Sequence, residues 1–339
     1  MTPSIQEIAS AAILAYTRIK PHTIQTPLLP SRTASPNETK LLFKAENFQR
    51  TGSFKLRGAT AKLSATGTAN ADRSPTSREI KKTITASSGN HGIGAACAAS
   101  TLGKHLTVVL PENVVQSKLE KVRSHGADVI LHGSEAGLAE QHAQALAATG
   151  EYTYLSPYND AEVIAGQGTV GVEILEQCSS GETNRTSGVH NVFVAMGGGG
   201  LISGIGSVMK SLSPQTRVYG VSATSSRALA ASMAAGRVVD VEHRETLADA
   251  VAGGIDEDSI TLQLARGVVD FVVECEEEEI KEALRELAFK EGMVVEGAAA
   301  LAFAGFRKAI RDEGVMGKTN VVVLCGGNFD EDAIKRVLL

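Results

Sequence analysis

The amino-acid sequence predicts an α/β protein built from two doubly wound parallel sheets. Short apolar runs alternate with longer Ala-, Leu- and Val-rich segments of helical spacing, which is typical of parallel strands covered by helices on both faces. Several of these runs end in a polar or glycine-rich turn. The length of 339 residues, with 43% hydrophobic and 21% charged residues, suits one large or two ordinary globular domains.

The first part of the chain supplies a predicted helix, a strand and a second helix. The segment from Ser4 to Ile19 has apolar residues at helical spacing and a capping residue at its start. Thr26-Pro27-Leu28 ends this helix. Leu41 to Ala45 is a predicted strand and Gly58 to Ala65 a predicted helix, so the residues between them form a loop.

The remaining elements fall into two blocks. Thr66 to Ser77 is rich in polar residues and is predicted to be an exposed connector. The strands predicted after it are Thr83–Ala86, Leu106–Leu110, Ala127–Leu131, Tyr152–Leu155, Asn191–Met196, Arg217–Val221, Val269–Cys275 and Asn320–Cys325. The predicted helices of the second block are Val163–Cys178, Ile202–Leu212, Arg227–Ala235, two between Glu277 and Ile310, and one at the C-terminus.

Composition excludes several classes of partner. The net charge of -5 is spread without long runs, which argues against a nucleic-acid or membrane partner. The four cysteines show no paired spacing, as expected in a reducing compartment. The N-terminus has no basic segment followed by an apolar run, and no apolar stretch is long enough to cross a bilayer. We therefore expect a cytoplasmic protein.

Four motifs carry the chemistry. Lys55 lies in Thr51-Gly-Ser-Phe-Lys-Leu-Arg-Gly58, as either a surface charge or a nucleophilic amine with a lowered pKa. Three turns follow predicted strands, where parallel sheets bind ligands. Together they predict a pocket for a phosphorylated cofactor that bears a carbonyl group. The turns are Ser87-Ser-Gly-Asn-His-Gly92, Gly197-Gly-Gly-Gly-Leu201 and Cys325-Gly-Gly-Asn328.

These motifs, in this order, resemble those of the fold-type II pyridoxal-phosphate enzymes, in the branch of serine/threonine dehydratases and serine racemase. The resemblance covers about Thr26 to Asp330. It implies a fold like that of the tryptophan synthase β subunit, pyridoxal 5'-phosphate as cofactor, a small amino acid as substrate and a homodimer. The alternation of strands and helices divides the chain into a large cofactor-binding domain, 1–60 and 152–339, and a small mobile domain, 61–151, and we predict that the small domain closes over the substrate.

The resemblance assigns cofactor-binding roles. Lys55 would form a Schiff base with the pyridoxal aldehyde and later remove the α-proton of the substrate. Phe54 would pack on the ring, and Asn90 would bond its phenolic oxygen. Cys325 would face the pyridine nitrogen; because a thiol is a weak donor, the nitrogen would stay unprotonated, which favours loss of a β-hydroxyl over transamination. The phosphate would lie on backbone N–H groups of Gly197, Gly198, Gly199, Gly200 and Leu201.

The resemblance also assigns a substrate loop, in which backbone N–H groups receive the substrate carboxylate. Serine racemase has serine at the position of Ser88, so Ser88 is a candidate proton donor, although the arginine found downstream in racemases is missing between Gly133 and Thr153. We predict no metal site, because Val221 to Ala230 lacks the carboxylates that several relatives use there. The loop residues are Ser87, Ser88, Gly89, Asn90 and His91.

The sequence therefore predicts a pyridoxal-phosphate-dependent ammonia-lyase acting on a hydroxy amino acid such as L-threonine or L-serine. A racemase or a 3-hydroxyaspartate dehydratase on the same scaffold is the nearest alternative, and a non-catalytic carrier of the cofactor is another. Gly92 to Cys97 faintly resembles a dinucleotide fingerprint, so a nicotinamide-dependent oxidoreductase is a distant alternative. Three further segments resemble those of dehydratases of hydroxyectoine utilisation: Glu296 to Ala300, Thr246 to Asp249 and Gly253 to Ile255.

Overall fold

Ten strands form two separate sheets in the part of the chain described by the computed structural model, which covers residues 2–33, 38–65, 82–180, 188–310, 314–329 and 331–338. The predicted connector Thr66 to Ser77 lies outside these residues. The strands are β1 (Leu28–Pro30), β2 (Lys40–Ala45), β3 (Lys82–Ala86), β4 (Leu106–Leu110), β5 (Asp128–Leu131), β6 (Tyr152–Tyr154), β7 (Asn191–Ala195), β8 (Arg217–Ala223), β9 (Phe271–Cys275) and β10 (Thr319–Leu324).

Helices follow most of these strands, which confirms the predicted α/β class. Within the described residues, no helix is both long enough and apolar enough to span a bilayer. The helices are α1 (Ile5–Ile19), α2 (Lys55–Ala65), α3 (Asn90–Thr101), α4 (Gln116–Arg123), α5 (Ala136–Ala148), α6 (Ala161–Ser180), α7 (Gly200–Leu212), α8 (Ala228–Ala235), α9 (Ile260–Val268), α10 (Glu277–Glu286), α11 (Gly297–Ala309) and α12 (Glu331–Leu338).

The larger sheet has six strands in the order β1-β2-β10-β7-β8-β9. All neighbours are parallel except β1, which pairs antiparallel with β2 at the edge. Every residue of β7 and β10 is buried, because helices cover both faces of the sheet at its centre. The sequence did not predict β1, a three-residue strand that ends in Pro30, a residue tolerated at sheet edges.

The smaller sheet has four parallel strands in the order β5-β4-β3-β6. Strand β6 pairs with β3 through Lys82 and Tyr152, although we placed residues from 152 onward in the large domain. Leu56 of α2, before the other expected boundary, packs in the same core as Val108 of β4. The division at residues 60 and 151 stays a prediction, and the core of the smaller sheet extends beyond both positions.

A buried ionic network joins α2 to the larger sheet and to α6. The guanidinium of Arg57, which is 0% exposed, makes bidentate pairs with Glu46 (2.7 and 2.9 Å) and Glu173 (2.7 and 2.8 Å). Lys44 Nζ of β2 lies 2.5 Å from Glu173 Oε2 and 2.7 Å from the carbonyl oxygen of Thr26. Two cations thus balance two carboxylates, and the network fixes the start of α2 two residues beyond Lys55.

Candidate active site

Lys55 is the first residue of α2, three residues before the predicted start of that helix. Its Nζ donates a hydrogen bond to the carbonyl oxygen of Pro157 (2.9 Å) and lies 5.2 Å from the centroid of the Phe54 ring. Burial lowers the pKa of Lys55 to about 8, and the nearby Cys325 and Glu296 oppose this shift. The neutral amine, which is the nucleophilic form, is therefore more accessible than in an exposed lysine.

The predicted phosphate-binding turn, Gly197 to Leu201, lies between β7 and the first turn of α7 and is called the glycine loop below. Gly199 is the N-cap residue of α7 and has a left-handed conformation with φ of 86°, which favours glycine. The helix begins at Gly200 rather than at Ile202 as predicted, so its unpaired first-turn N–H groups lie within the loop. An α-helix N-terminus of this kind attracts a phosphate group.

Packing gives a second reason for the glycines, which the sequence did not reveal. A Cβ atom on Gly198 would lie 2.5 Å from the Tyr158 ring, and one on Gly197 would lie 2.9 Å from Cα of Val251. We expected side chains to be excluded because they would block the phosphate. The structure shows that side chains at these two positions would also collide with the protein itself.

The segment between β6 and α6 links Lys55 to the glycine loop. Pro157 accepts the hydrogen bond from Lys55, and the next residue, Tyr158, packs against Gly198 and Gly200. The hydroxyl of Tyr158 accepts a hydrogen bond from the backbone N–H of Asp256 (2.9 Å), which fixes the ring. The amine and the loop are thus held on the two sides of one short segment.

Asn90 is the first residue of α3 and contacts Glu296, the N-cap residue of α11. Its Nδ2 donates to both carboxylate oxygens of Glu296, at 3.0 and 2.9 Å, and its Oδ1 accepts from Asn328 Nδ2 (2.8 Å). Asn328 Oδ1 accepts from Lys121 Nζ of α4 (2.8 Å). The structure thus places Asn90 at the junction of both sheets, where its role toward a cofactor oxygen stays a prediction.

Cys325 follows β10 and is 2% exposed. Its carbonyl oxygen accepts from the backbone N–H of Phe54 (3.1 Å), which holds the residue beside the Lys55 loop. Its Sγ lies 3.8 Å from Glu296 Oε1. Burial, followed by the charge of Glu296, raises the pKa of this thiol well above its usual value, so Cys325 carries its proton at neutral pH.

The predicted substrate loop lies between β3 and α3. Gly89 is the N-cap residue of α3, and its N–H donates to Ser87 Oγ (3.2 Å). Ser88 is half-buried in the same loop. The first-turn N–H groups of α3, which include those of Asn90 and His91, have no partner within the helix and suit a carboxylate.

The His91 side chain has a structural contact. Its Nε2 lies 2.9 Å from Thr85 Oγ1 and 3.1 Å from the carbonyl oxygen of Leu155. Burial, with the nearby charge of Lys55, lowers the pKa of His91 to about 3, so the imidazole is neutral. Only the backbone of His91 is suited to the predicted substrate role, because a neutral ring bound at Nε2 is no acid.

The structure brings the predicted residues together and adds others that the sequence analysis did not assign to the site. Glu296 was noted only as part of a motif, although a single acid between Met293-Val-Val and Gly-Ala-Ala signals a buried carboxyl group. Asn328 ends the predicted turn after β10 but was given no role of its own, and Pro157 and Tyr158 have no sequence signal. The hypothetical dinucleotide fingerprint, Gly92 to Cys97, lies inside α3 and not in a strand–helix turn, which removes the support for a nicotinamide site.

The residues present fit pyridoxal phosphate at its phosphate group and at its reactive aldehyde. The glycine loop offers N–H donors at a helix N-terminus for the phosphate, and Lys55 offers an amine of lowered pKa for the aldehyde. Phe54 lies beside the lysine, Cys325 contacts Phe54 through its carbonyl oxygen, and Asn90 shares its partner Glu296 with Cys325. No cluster of three metal-binding side chains occurs among the described residues.

Gly198→Ala is expected to weaken cofactor binding about tenfold or more. The added methyl group would collide with Tyr158 and displace the loop, and overpacking of this kind costs about 1–3 kcal/mol. Absorbance titration of cofactor-depleted protein with pyridoxal phosphate measures the affinity. Gly254→Ala is the matched control, because a Cβ there meets no atom within 4 Å. Equal affinity of the two variants would contradict the expectation.

Comparison with known proteins shows the family to which the chain is similar. A family model described as pyridoxal-phosphate dependent enzyme matches residues 19–327. The chain is 37% identical over 301 residues to the L-threonine ammonia-lyase of Thermotoga maritima, covering 88% of this chain and 70% of that protein. It is 34% identical to the catabolic L-threonine dehydratase of Escherichia coli, covering 88% of this chain and 85% of the relative.

Solved structures show the same similarity. A threonine deaminase from T.th. superposes with a TM-score of 0.80 at 35% identity, covering 95% of this chain and 98% of the other. Maize serine racemase superposes with a TM-score of 0.83 at 26% identity, covering 97% and 95%. The chain therefore belongs to the pyridoxal-phosphate-dependent enzyme family, in its fold-type II group of serine/threonine dehydratases and serine racemase.

Proposed function

We propose that the protein is an ammonia-lyase that converts a hydroxy amino acid, such as L-threonine or L-serine, to a 2-oxo acid and ammonia. The observation that carries the proposal is the half-buried amine of Lys55, whose pKa is lowered to about 8. The backbone of Lys55 packs beside Gly94 of α3, Cys325 is near enough to affect the pKa of its amine, and Pro157 connects the amine to Tyr158, which packs on the glycine loop. The names of the threonine ammonia-lyase and threonine dehydratase relatives support the substrate class.

Each group in the site has a distinct task in this reaction. The first turn of α3 binds the substrate carboxylate and orients Cα toward Lys55. Lys55 accepts the α-proton, and the β-hydroxyl leaves as water after protonation. Bound pyridoxal phosphate supplies the carbonyl that joins the substrate amine and the electron sink for the charge at Cα. The released enamine tautomerises and takes up water, so one 2-oxo acid and one ammonia form per substrate.

Product analysis tests the proposal. The purified protein, loaded with pyridoxal phosphate, is incubated separately with L-threonine, L-serine and 3-hydroxyaspartate, and the 2-oxo acid and ammonia are quantified. We expect equal amounts of the two products from at least one substrate. Retention of the cofactor with no product from any of them would leave the carrier hypothesis and contradict the lyase.

Racemisation on the same scaffold is the second candidate. Ser88 lies in the loop before α3, where a hydroxyl group near the substrate could return a proton, and the fold resembles that of maize serine racemase. Chiral chromatography of recovered L-serine separates the two functions, because only a racemase produces D-serine. Loss of D-serine formation in Ser88→Ala, with elimination retained, would support the role of this hydroxyl.

We also propose that the enzyme is a cytoplasmic homodimer, as its family resemblance implies. All four cysteines are free, which agrees with a reducing compartment. Sedimentation equilibrium of the purified protein measures its mass, and a monomer at micromolar concentration would contradict the dimer.

A further inference from the structure

Glu296 is a buried acid that contacts Asn90 and Cys325, two of the residues predicted to bind the cofactor. Its side chain is 2% exposed, accepts two hydrogen bonds from Asn90 and lies 3.8 Å from the sulfur of Cys325. Its backbone N–H donates to the carbonyl oxygen of Gly326 (3.2 Å). A Cβ on Gly326 would lie 2.6 Å from Glu296 Oε1, so the glycine leaves room for the carboxylate. The acid and the thiol are thus held together by the backbone.

We propose that Glu296 is a positioning residue that accepts the S–H hydrogen bond of Cys325 when ionised and reverses this bond when protonated. A thiol has a single proton. If that proton is directed to Glu296 Oε1, Cys325 presents only sulfur lone pairs to any other group. If Glu296 takes up a proton, its own O–H donates to the sulfur, and the S–H becomes free to donate elsewhere.

The electrostatics of the site place this reversal near neutral pH. Burial raises the pKa of Glu296 to about 7, against the hydrogen bonds from Asn90; the charge of Asp249 adds to the increase. Lys55 and Cys325 are the other titratable groups that face it. Above pH 7 the carboxylate is ionised and accepts the S–H hydrogen bond of Cys325. Below pH 7 the carboxyl group is the donor.

The consequence for the cofactor rests on the proposed function, whereas the contact itself does not. From the sequence, the ring nitrogen is expected to stay unprotonated, because a thiol alone would face it. A nitrogen next to Cys325 would instead meet sulfur lone pairs backed by a negative charge at Glu296, which favours its protonated form. The ionised acid would thereby make the ring a stronger electron sink than a lone thiol allows, which weakens the expected preference for loss of the β-hydroxyl over transamination.

Infrared spectroscopy of the S–H stretch tests the proposal on the intact holoenzyme. The spectrum of Cys325→Ala, subtracted from that of the wild type, isolates the Cys325 band. Between about pH 5.5 and 8.5, on either side of the Glu296 pKa, we expect the band to move to lower frequency as pH rises, because the acceptor becomes charged. This titration needs only the wild type and the subtraction variant.

Two variants sharpen the test. Glu296→Gln keeps the shape of the side chain but removes its titration, so its S–H band should not change with pH. Asp249→Asn removes a neighbouring charge and no hydrogen bond to the thiol, so the transition should remain and its midpoint should fall below that of the wild type. A Cys325 band that is independent of pH in the wild type, or equally dependent in Glu296→Gln, would overturn the proposal.

The test is independent of turnover. If no hydroxy amino acid is consumed but the band titrates as expected, the proposed function fails and the contact between Glu296 and Cys325 stands. If turnover is normal and the band does not titrate, the lyase stands and the positioning role of Glu296 fails. A pH titration of the cofactor absorption band in wild type and Glu296→Gln then measures the effect on the ring nitrogen.

Discussion

Lys55→Ala is expected to lower turnover of the hydroxy amino acid by on the order of 10⁴-fold, because the variant lacks the amine that accepts the α-proton. Among the described residues, no neighbouring group is placed to replace it. The pKa of His91 is lowered to about 3, so its ring is a weak base, and its Nε2 is bound to Thr85 and Leu155. Glu296 accepts two hydrogen bonds from Asn90 and is directed toward Cys325. Steady-state formation of the 2-oxo acid measures the effect.

Lys55→Arg separates the base from the positive charge. Arginine keeps a cation that can donate to the carbonyl oxygen of Pro157, but its pKa above about 12 prevents it from acting as a base. We expect this variant to be as inactive as Lys55→Ala. Lys62→Arg is the matched control on α2, because Lys62 pairs with Asp160 (2.5 Å) rather than with a residue of the site. Wild-type turnover in Lys55→Arg would contradict the role of Lys55.

The strands could be predicted well because central strands of a parallel sheet are buried on both faces. β7 and β10 therefore read as continuous apolar runs, and each was predicted within a residue or two of its observed bounds. The starts of α2 and α7 were predicted too late. Lys55 and Gly200 carry no apolar periodicity, so the first turn of each helix looks like a loop.

Only part of the site could be predicted, for a related reason. Lys55 and the glycine loop have local signatures: a reactive side chain and a run of small residues at a strand end. Glu296 acts on Asn90, a residue 206 positions away, and Tyr158 acts on Gly198 only because a turn carries it there. Such contacts form only when distant segments pack together, so no local pattern in the sequence indicates them.

Arg57→Met is expected to lower the free energy of unfolding by about 3–5 kcal/mol, because it leaves buried carboxylates without their partner. Arg57 supplies four of the hydrogen bonds that satisfy Glu46 and Glu173. Lys44 alone then faces two negative charges. Urea unfolding followed by circular dichroism measures the change. Arg227→Met is the matched control: its pair with Glu274 is 51% and 36% exposed, so its loss should cost at most about 1 kcal/mol.

The cost of Arg57→Met should also depend on pH. In the wild type, burial would raise the pKa of Glu46, but the charge and hydrogen bonds of Arg57, together with Lys44 and Thr26, outweigh burial and hold the pKa below its usual value. This contribution is present above the unfolded-state pKa and is lost as pH falls through the folded-state value. Without Arg57, burial dominates, and Glu46 takes up a proton at higher pH. The two proteins should therefore converge in stability as the medium is acidified. A constant difference between neutral and acidic pH would show that the network stabilises α2 by shape rather than by charge, and that Lys55 is positioned by packing alone.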